Sequence, residues 1–304
     1  MKKTALFVAM ASAATFAQAE TIEIKVPTFY GKINMSQEFI QQEDAGNYSE
    51  LNSNASRLGV KGDFALTDEI TAIYQAEYQI DTDGDAAETF SERNTFIGAK
   101  GSFGKVQAGI FDTALKASQG KVDQFNDLGA DIKNYVTSND NRPANIVRYQ
   151  SPSLSGLVLT IDHINSEAAD TANSQSVSAV FSKDAVYAAV AYDFRGDITV
   201  ARVTGQINLE SGVSLGALWE SQDNDGETTD GMMVSAAVKT GSATTLKAQY
   251  GSSDIKSEGA TQIALGLDYK LAKNAKLFGY VSDAETDVDG SGEQIFGAGA
   301  EFKF

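Results

Sequence analysis

The chain of 304 residues contains no cysteine, only three prolines and a single histidine. Without thiols it has no disulfide bridges, so at this length a large sheet or core must hold it together. One histidine and no cysteine make a zinc site implausible, and a Ser-His-Asp triad would depend on His163 alone. These absences argue against an enzyme, and we expect neither a cofactor nor a metal centre.

Basic residues are also scarce, because 24 Lys and Arg stand against 41 Asp and Glu, a formal charge of -17. This excess disfavours nucleic-acid binding, which requires a cationic surface. Two acidic runs, residues 81–85 and 287–292, imitate calcium loops. With Asp287 as first ligand, however, the twelfth position is Ala298, where a bidentate glutamate is required. A helix-loop-helix calcium site is therefore not expected, whereas a loose surface site stays open.

Long apolar runs are missing from most of the chain, where no window approaches the roughly 18 apolar residues of a spanning helix. The N-terminus is different: two lysines precede an apolar run over residues 5–16 that ends in Ala17-Gln18-Ala19. These features are typical of an export signal. We predict a signal peptide over residues 1–19, cleaved after Ala19, and one mature domain over residues 20–304. A short membrane anchor is the alternative.

The rest of the sequence alternates apolar with polar residues and is interrupted by clusters of Gly, Asn, Asp and Ser. Residues 262–271 place Ile263, Leu265 and Leu267 on one face and Gln262 and Asp268 on the other. This pattern predicts strands and turns. A soluble sandwich and an outer-membrane barrel both produce it. Aromatic residues near strand ends, charged residues within strands and the lack of a linker favour a barrel.

We predict sixteen strands, enough to enclose an aqueous channel. They start near Phe29, Arg57, Ile70, Asn94, Lys105, Ala144, Leu157, Ser176, Ala185, Ile198, Val213, Met232, Thr244, Gln262, Ala275 and Gln294. Short periplasmic turns are expected at residues 64–68, 101–105, 183–184 and 271–274. Long acidic external loops are expected at residues 41–53, 81–92, 221–230 and 283–293. The predicted fold class is an all-β, sixteen-stranded antiparallel transmembrane barrel.

Short motifs spread along the chain carry a family resemblance. Phe29-Tyr30-Gly31-Lys32 comes first, Ser56-Arg57-Leu58-Gly59-Val60-Lys61-Gly62 follows, and the last residue is Phe304. In this order they resemble the general porins of Gram-negative outer membranes, which are homotrimers of sixteen-stranded barrels. The resemblance implies a passive channel for ions and small hydrophilic solutes, an outer-membrane location, a homotrimer, and contact with membrane lipid and lipopolysaccharide.

The resemblance also implies that the third external loop folds inward and narrows the pore. That loop corresponds to residues of about 112–143, although Asn126-Asp127 stands where the family has a Pro-Glu pair. Carboxylates of the loop are expected to oppose a basic wall. The residues implied for this constriction are Asp123, Asp127, Lys32, Arg57, Arg93 and Arg142. Alternation independently points Lys32 and Arg57 inward, and it adds Arg148 as a further inward candidate.

The last strand alternates phenylalanine and alanine with polar or small residues and ends on Phe304. In the family, such an ending resembles the signal that the barrel-assembly machinery reads. Phe302 and Phe304 are therefore the expected assembly signal. They also fit an ordinary lipid-facing strand, and the two interpretations are compatible.

Opposed charges across a narrow gap favour small polar solutes and set ion preference. The acidic excess of the whole chain weakly favours cations. Two other functions stay open: a substrate-selective channel, and an adhesin or phage receptor acting through the loops of the same barrel. An enzyme built on His163 is a further alternative, and replacing His163 with alanine should then abolish its activity.

Overall fold

The computed structural model describes residues 26–304, so the predicted signal peptide lies outside the described residues. One sheet contains all eighteen strand segments, and every pairing is antiparallel. The segments are β1 (Thr28–Gln42), β2 (Gly46–Ser53), β3 (Arg57–Ala65), β4 (Thr71–Ile80), β5 (Phe90–Glu92), β6 (Thr95–Gly101), β7 (Gly104–Ile110), β8 (Ile146–Gln150), β9 (Leu157–Ile164), β10 (Ser174–Lys183), β11 (Val186–Arg195), β12 (Ile198–Asn208), β13 (Val213–Asn224), β14 (Glu227–Lys239), β15 (Thr244–Ser253), β16 (Ala260–Ala272), β17 (Ala275–Glu285) and β18 (Glu293–Lys303).

Two wall strands are each broken into two segments. β1 pairs first with β2 and then with β3, and β4 pairs with both β5 and β6. Each break is a β-bulge, in which one strand carries an extra residue against its partner. Counted as whole strands the segments number sixteen, and pairing of β1 with β18 closes the sheet. The predicted sixteen-stranded antiparallel barrel is confirmed.

The two faces of the sheet differ as the alternation predicts. On β16, Ile263 and Leu265 are 51% and 52% exposed, whereas Gln262 and Ala264 are each 1% exposed. Because a closed sheet has only an outside and an inside, the exposed apolar face is the outer, lipid-facing surface. The opposite face, which we call the polar face, points into the barrel.

The prediction of long external loops is wrong at two places, where the structure has strands. Residues 41–53 and 221–230 form strand ends joined by tight turns, at residues 43–45 and 225–226. Their acidic, non-alternating sequences suggested loops, but strands that extend beyond the lipid meet water on both faces and lose the alternation. The loops at residues 81–89 and 286–292 are close to their predicted positions. Most strands begin within two residues of the prediction.

The C-terminus lies at the closure of the barrel. Phe302 pairs with Ile33, and the Phe304 amide donates to the Gly31 carbonyl at 3.1 Å. Phe302 and Phe304 are exposed on the outer surface, 48% and 66% respectively. Two short helices, α1 (Ala114–Ala117) and α2 (Ile132–Tyr135), lie between β7 and β8. Among residues 26–304, no helix is long and apolar enough to cross a membrane.

Candidate functional site

Residues 111–145 join β7 to β8, and we call them the long connection. Each of its helices is a single turn with a capped start. The Thr113 hydroxyl accepts from the Lys116 amide at 3.2 Å, and the Asp131 carboxylate accepts from the Lys133 amide at 2.9 Å. Side-chain caps satisfy amides that so short a helix leaves unpaired. The connection is therefore an ordered element with local structure of its own.

Phe125 and Leu128 of the long connection pack against apolar side chains on the polar face. Phe125 is fully buried, and its ring centroid lies 6.0 Å from that of Tyr280. The Gly129 amide donates to the Tyr280 hydroxyl at 3.1 Å. The remaining members of the cluster are Ile40, Ala130, Ala264, Phe278 and Ile295. This apolar patch on an otherwise polar face holds one part of the connection in place.

A second cluster holds the adjoining part. Val122, Ile132 and Val136 pack against Leu218 and Met233 of β13 and β14. Hydrogen bonds accompany the packing, because the Ser235 hydroxyl donates to the Val122 carbonyl and the Ser253 hydroxyl to the Val136 carbonyl, at 2.5 and 2.7 Å.

Glycines in the wall make room for both clusters. A Cβ added at Gly251 would lie 2.4 Å from Cγ2 of Val136, and one at Gly266 would lie 2.7 Å from Cε1 of Phe125. Any larger side chain at these two positions would collide with the long connection. The wall and the connection are therefore complementary in shape.

Buried ion pairs fix the two ends of the connection. Arg202, 1% exposed, lies between Asp140 of the connection and Glu220 of β13, with Nη1 2.9 Å from Asp140 Oδ1 and Nε 2.7 Å from Glu220 Oε2. At the other end, the Asp162 carboxylate accepts from the Ala114 amide at 2.7 Å and pairs with Arg148. Because these charged groups are removed from water, each one needs its partners to offset the cost of burying its charge.

Replacing Arg202 with methionine should lower the free energy of unfolding by about 3–5 kcal/mol, because Asp140 and Glu220 are then left buried without a cation. Denaturant titration of the refolded barrel measures this. The double variant R202M/E220Q should recover part of the loss, since it removes one of the stranded charges. Equal stability of R202M and the unmodified protein would show that the ion pairs of Arg202 contribute nothing to the free energy of unfolding.

On the other side of the long connection lies an open cavity of about 1040 Å³. Charged side chains dominate its lining. The basic ones are Lys32, Arg57, Lys61, Arg93, Lys116, Lys133, Arg142, Lys256 and Lys303, and the acidic ones are Glu77, Asp112, Asp127, Asp131 and Asp140. Five of the seven residues expected at a constriction therefore line one space: Lys32, Arg57, Arg93, Asp127 and Arg142.

Asp127 meets the wall at Lys32, whose Nζ lies 2.9 Å from its Oδ2. Burial opposes ionisation of the Asp127 carboxyl, but Lys32, Arg57 and Arg93 outweigh it and hold the pKa of this carboxyl below its ordinary value. Arg142 pairs with Asp112 at 2.8 Å, and Arg93 pairs with Glu77 at 2.8 Å. Among residues 26–304, no carboxylate lies within 4.0 Å of Arg57.

Two of the expected constriction residues lie elsewhere. Asp123 is buried within the long connection, where its carboxylate accepts from the amides of Phe125 and Ile132 at 2.8 and 3.3 Å. Burial and the neighbouring Asp131 raise the pKa of the Asp123 carboxyl. Arg148 is 8% exposed and is held by Asp162. Neither residue lines the cavity, and their contacts instead stabilise the path of the connection.

Glu77, Asp112 and Lys116 also line the cavity, although the sequence does not predict them there. Alternation places Glu77 on the polar face, but it cannot show that Arg93 lies opposite. Arg93 sits at the bulge between β5 and β6, where the extra residue resets which side chains point inward. Its neighbour Asn94 interrupts the apolar pattern for this reason. A charged residue next to a break in alternation is the signal that would have indicated the bulge.

Comparisons with known proteins agree on one family. A family model described as Gram-negative porin matches residues 5–290. The major outer membrane protein P.IB of Neisseria sicca is 30% identical over 168 residues, which cover 51% of this chain and 45% of that protein. A P.IB protein of Neisseria meningitidis serogroup B is 25% identical over 318 residues, covering 100% of this chain and 89% of that protein. The chain thus spans less than half of the first relative's length.

Solved structures show the same fold at low identity. The anion-selective porin from Comamonas acidovorans has a TM-score of 0.79 at 19% identity, covering 92% of this chain and 99% of that one. The trimer form of OmpT from Vibrio cholerae has a TM-score of 0.70 at 19% identity, covering 92% and 99%. Taken with the family match over residues 5–290, the chain belongs to the Gram-negative porin family and resides in the outer membrane.

Proposed function

We propose that this porin is a passive, water-filled channel for ions and small hydrophilic solutes, narrowed by the long connection. The observation that carries the proposal is the Lys32–Asp127 contact beside an open cavity lined by charged residues. The contact joins the connection to β1, while the two apolar clusters hold it against β13–β18. The cavity is the open space between the connection and the part of the wall that carries Lys32, Arg57 and Arg93.

The contacts of the long connection support its position inside the barrel. Its hydrogen-bond partners on the wall belong to the polar face of strands spread around the closed sheet. They include Lys32 of β1, Asp162 of β9, Ser176 of β10, Arg202 of β12, Glu220 of β13, Ser235 of β14, Gln249 of β15 and Tyr280 of β17. A segment that touches all these strands on their inward face runs across the interior.

The cavity lining favours anions over cations, because its nine basic side chains exceed its five acidic ones. Charges beside the path act on a passing ion more strongly than those on distant loops, since salt screens fields beyond about 10 Å. The weak cation preference expected from the sequence rests on the overall charge of -17, much of which lies in external turns. We therefore propose a modest anion preference. The similar porin from Comamonas acidovorans is described as anion-selective.

A homotrimer is the proposed assembly, and one form of the similar Vibrio cholerae OmpT is a trimer. Membrane lipid and lipopolysaccharide are the proposed neighbours of the exposed apolar face, and the barrel-assembly machinery is the proposed reader of Phe302 and Phe304. Removal of Phe304 should reduce insertion into outer membranes without preventing folding in detergent. An unchanged yield of membrane-inserted protein would argue against the assembly signal.

Planar-bilayer recording of the purified, refolded protein tests the channel proposal. We expect stepwise conductance that rises linearly with voltage, together with swelling of liposomes in small sugars. A sealed bilayer after verified insertion would refute the proposal. No catalytic role is proposed, because His163 contacts Asn173 at 3.3 Å outside the cavity lining. His163→Ala should conduct like the unmodified protein.

The pH dependence should report Asp127. Because the pKa of this carboxyl is held below its ordinary value of 3.8, its contact with Lys32 forms fully above pH 3.8 and is lost as the pH falls through the lowered pKa. Anion preference should therefore rise steeply only below pH 3.8. D127N should already show the higher preference at pH 7. A variant D127N indistinguishable from the unmodified channel at pH 7 would contradict this role of Asp127.

A further inference from the structure

We propose that Glu77 determines ion specificity in this channel by cancelling the charge of Arg93 and fixing its position on the wall. The inference rests on the proposed channel function and deepens it. Glu77 is an acidic side chain, 7% exposed, on the section of wall that also carries Lys32, Arg57 and Arg93. Its contacts show which of these cations is neutralised.

Arg93 is held from two sides by residues of β4. Its Nε donates to Oε1 of Glu77 at 2.8 Å, and its Nη1 donates to Oε1 of Gln79 at 3.0 Å. The Arg93 and Glu77 side chains are only 10% and 9% exposed. A charge-assisted bond between two groups so shielded from water is strong and fixes the planar guanidinium. Arg93 is therefore a positioned, paired cation.

The second carboxylate oxygen of Glu77 is held by Tyr30, whose hydroxyl donates to Oε2 at 2.9 Å. Tyr30 reaches Glu77 across β3, because Tyr30 is paired with Gly59 and Gly59 with Glu77. A Cβ on Gly59 would lie 2.4 Å from Cζ of Tyr30, so the ring requires a glycine beneath it. Three strands thus cooperate to orient one carboxylate toward Arg93.

Arg57 is unlike Arg93 in this respect. It lies opposite Lys32 on the neighbouring strand, and among residues 26–304 no carboxylate lies within 4.0 Å of it. The family resemblance treats the two arginines alike. Their contacts make them different: Arg57 presents its full charge to the cavity, whereas Glu77 offsets that of Arg93. Glu77 therefore limits the anion preference of the channel.

A charge-balance experiment tests this. The reversal potential of the full-length channel is measured in a KCl gradient for E77Q, R93Q and E77Q/R93Q. E77Q frees Arg93 and should raise the anion-to-cation permeability ratio about threefold, the effect of one unit charge several ångströms from the path in a water-rich environment. R93Q leaves Glu77 alone and should lower the ratio by a similar factor. The double variant should return close to the original ratio.

Control variants separate an effect of the Glu77 charge from a disturbance of the wall structure. Glu77→Asp keeps the charge at this position and should shift the ratio far less than E77Q does. Asp63→Asn removes a polar-face carboxylate that does not line the cavity and should leave the ratio unchanged. If loss of Glu77 only disturbed the wall, the double variant would not restore the ratio, which would overturn the proposal. An unchanged ratio in E77Q, measured in a conducting channel, would do the same. Absence of conductance in the unmodified protein would instead refute the channel function.

Discussion

Gly266→Val should raise the single-channel conductance roughly twofold or more, because it displaces the long connection from the barrel wall. A Cβ at this position would lie 2.7 Å from the fully buried Phe125 ring. Around Gly266 the wall is held by antiparallel backbone pairing on both sides of β16, whereas the connection is held by side-chain packing, side-chain hydrogen bonds and ion pairs. The connection should therefore yield first, which widens the open cross-section.

A compensating variant makes this prediction specific. Phe125→Ala combined with Gly266→Val removes the clashing ring and should bring the conductance back toward that of Phe125→Ala alone. Gly205→Val is the matched control, because it also adds valine to a strand glycine but nothing lies within 4 Å of its new Cβ. A conductance of Gly266→Val equal to that of Gly205→Val would mean that the long connection does not limit the passage.

Arg57→Glu should reverse the ion preference of the channel, lowering the anion-to-cation permeability ratio about tenfold. The substitution changes the net charge of the cavity lining by two units, and each unit changes the permeability ratio about threefold at this distance. Arg57 is the sensitive position because it lines the cavity without a carboxylate partner within 4.0 Å among the described residues. The same reversal-potential measurement reports the result.

The matched control for this variant is Lys100→Glu. Lys100 carries the same charge on the same stretch of wall, but it is half exposed, pairs with Asp63 at 3.9 Å and does not line the cavity. Its replacement should change the ratio far less than Arg57→Glu does. Equal shifts in both variants would mean that the charge of the whole barrel, and not the cavity lining, governs ion preference.

The barrel could be predicted from sequence because its physical rule is simple. Lipid outside and water inside force alternation, and Gln262, Ile263 and Leu265 follow it, with the two apolar side chains exposed on the outer face and the glutamine buried on the polar face. The same rule fails where strands leave the lipid. Residues 41–53 and 221–230 are mostly polar and lack a regular apolar face, so their sequences indicate loops although they form strands.

The candidate site was predictable in part. Alternation points Lys32 and Arg57 inward, and the family resemblance supplies Asp127 opposite them. The attachment of the long connection to the wall could not be predicted. It depends on apolar residues such as Phe278 and Tyr280 on the polar face, where alternation predicts polar residues. Contacts such as Phe125 over Gly266 join residues far apart in the chain, and no local pattern encodes them.

The reversal potential of the unmodified protein in a KCl gradient shows whether the charges of the cavity lining set the ion preference of the channel. We expect an open, ohmic channel whose reversal potential has the sign of chloride preference, since the nine basic side chains of the cavity outweigh its five acidic ones. A conducting channel with the sign of potassium preference would contradict it. That result would mean that the acidic external turns, and not the cavity beside the long connection, control which ions pass.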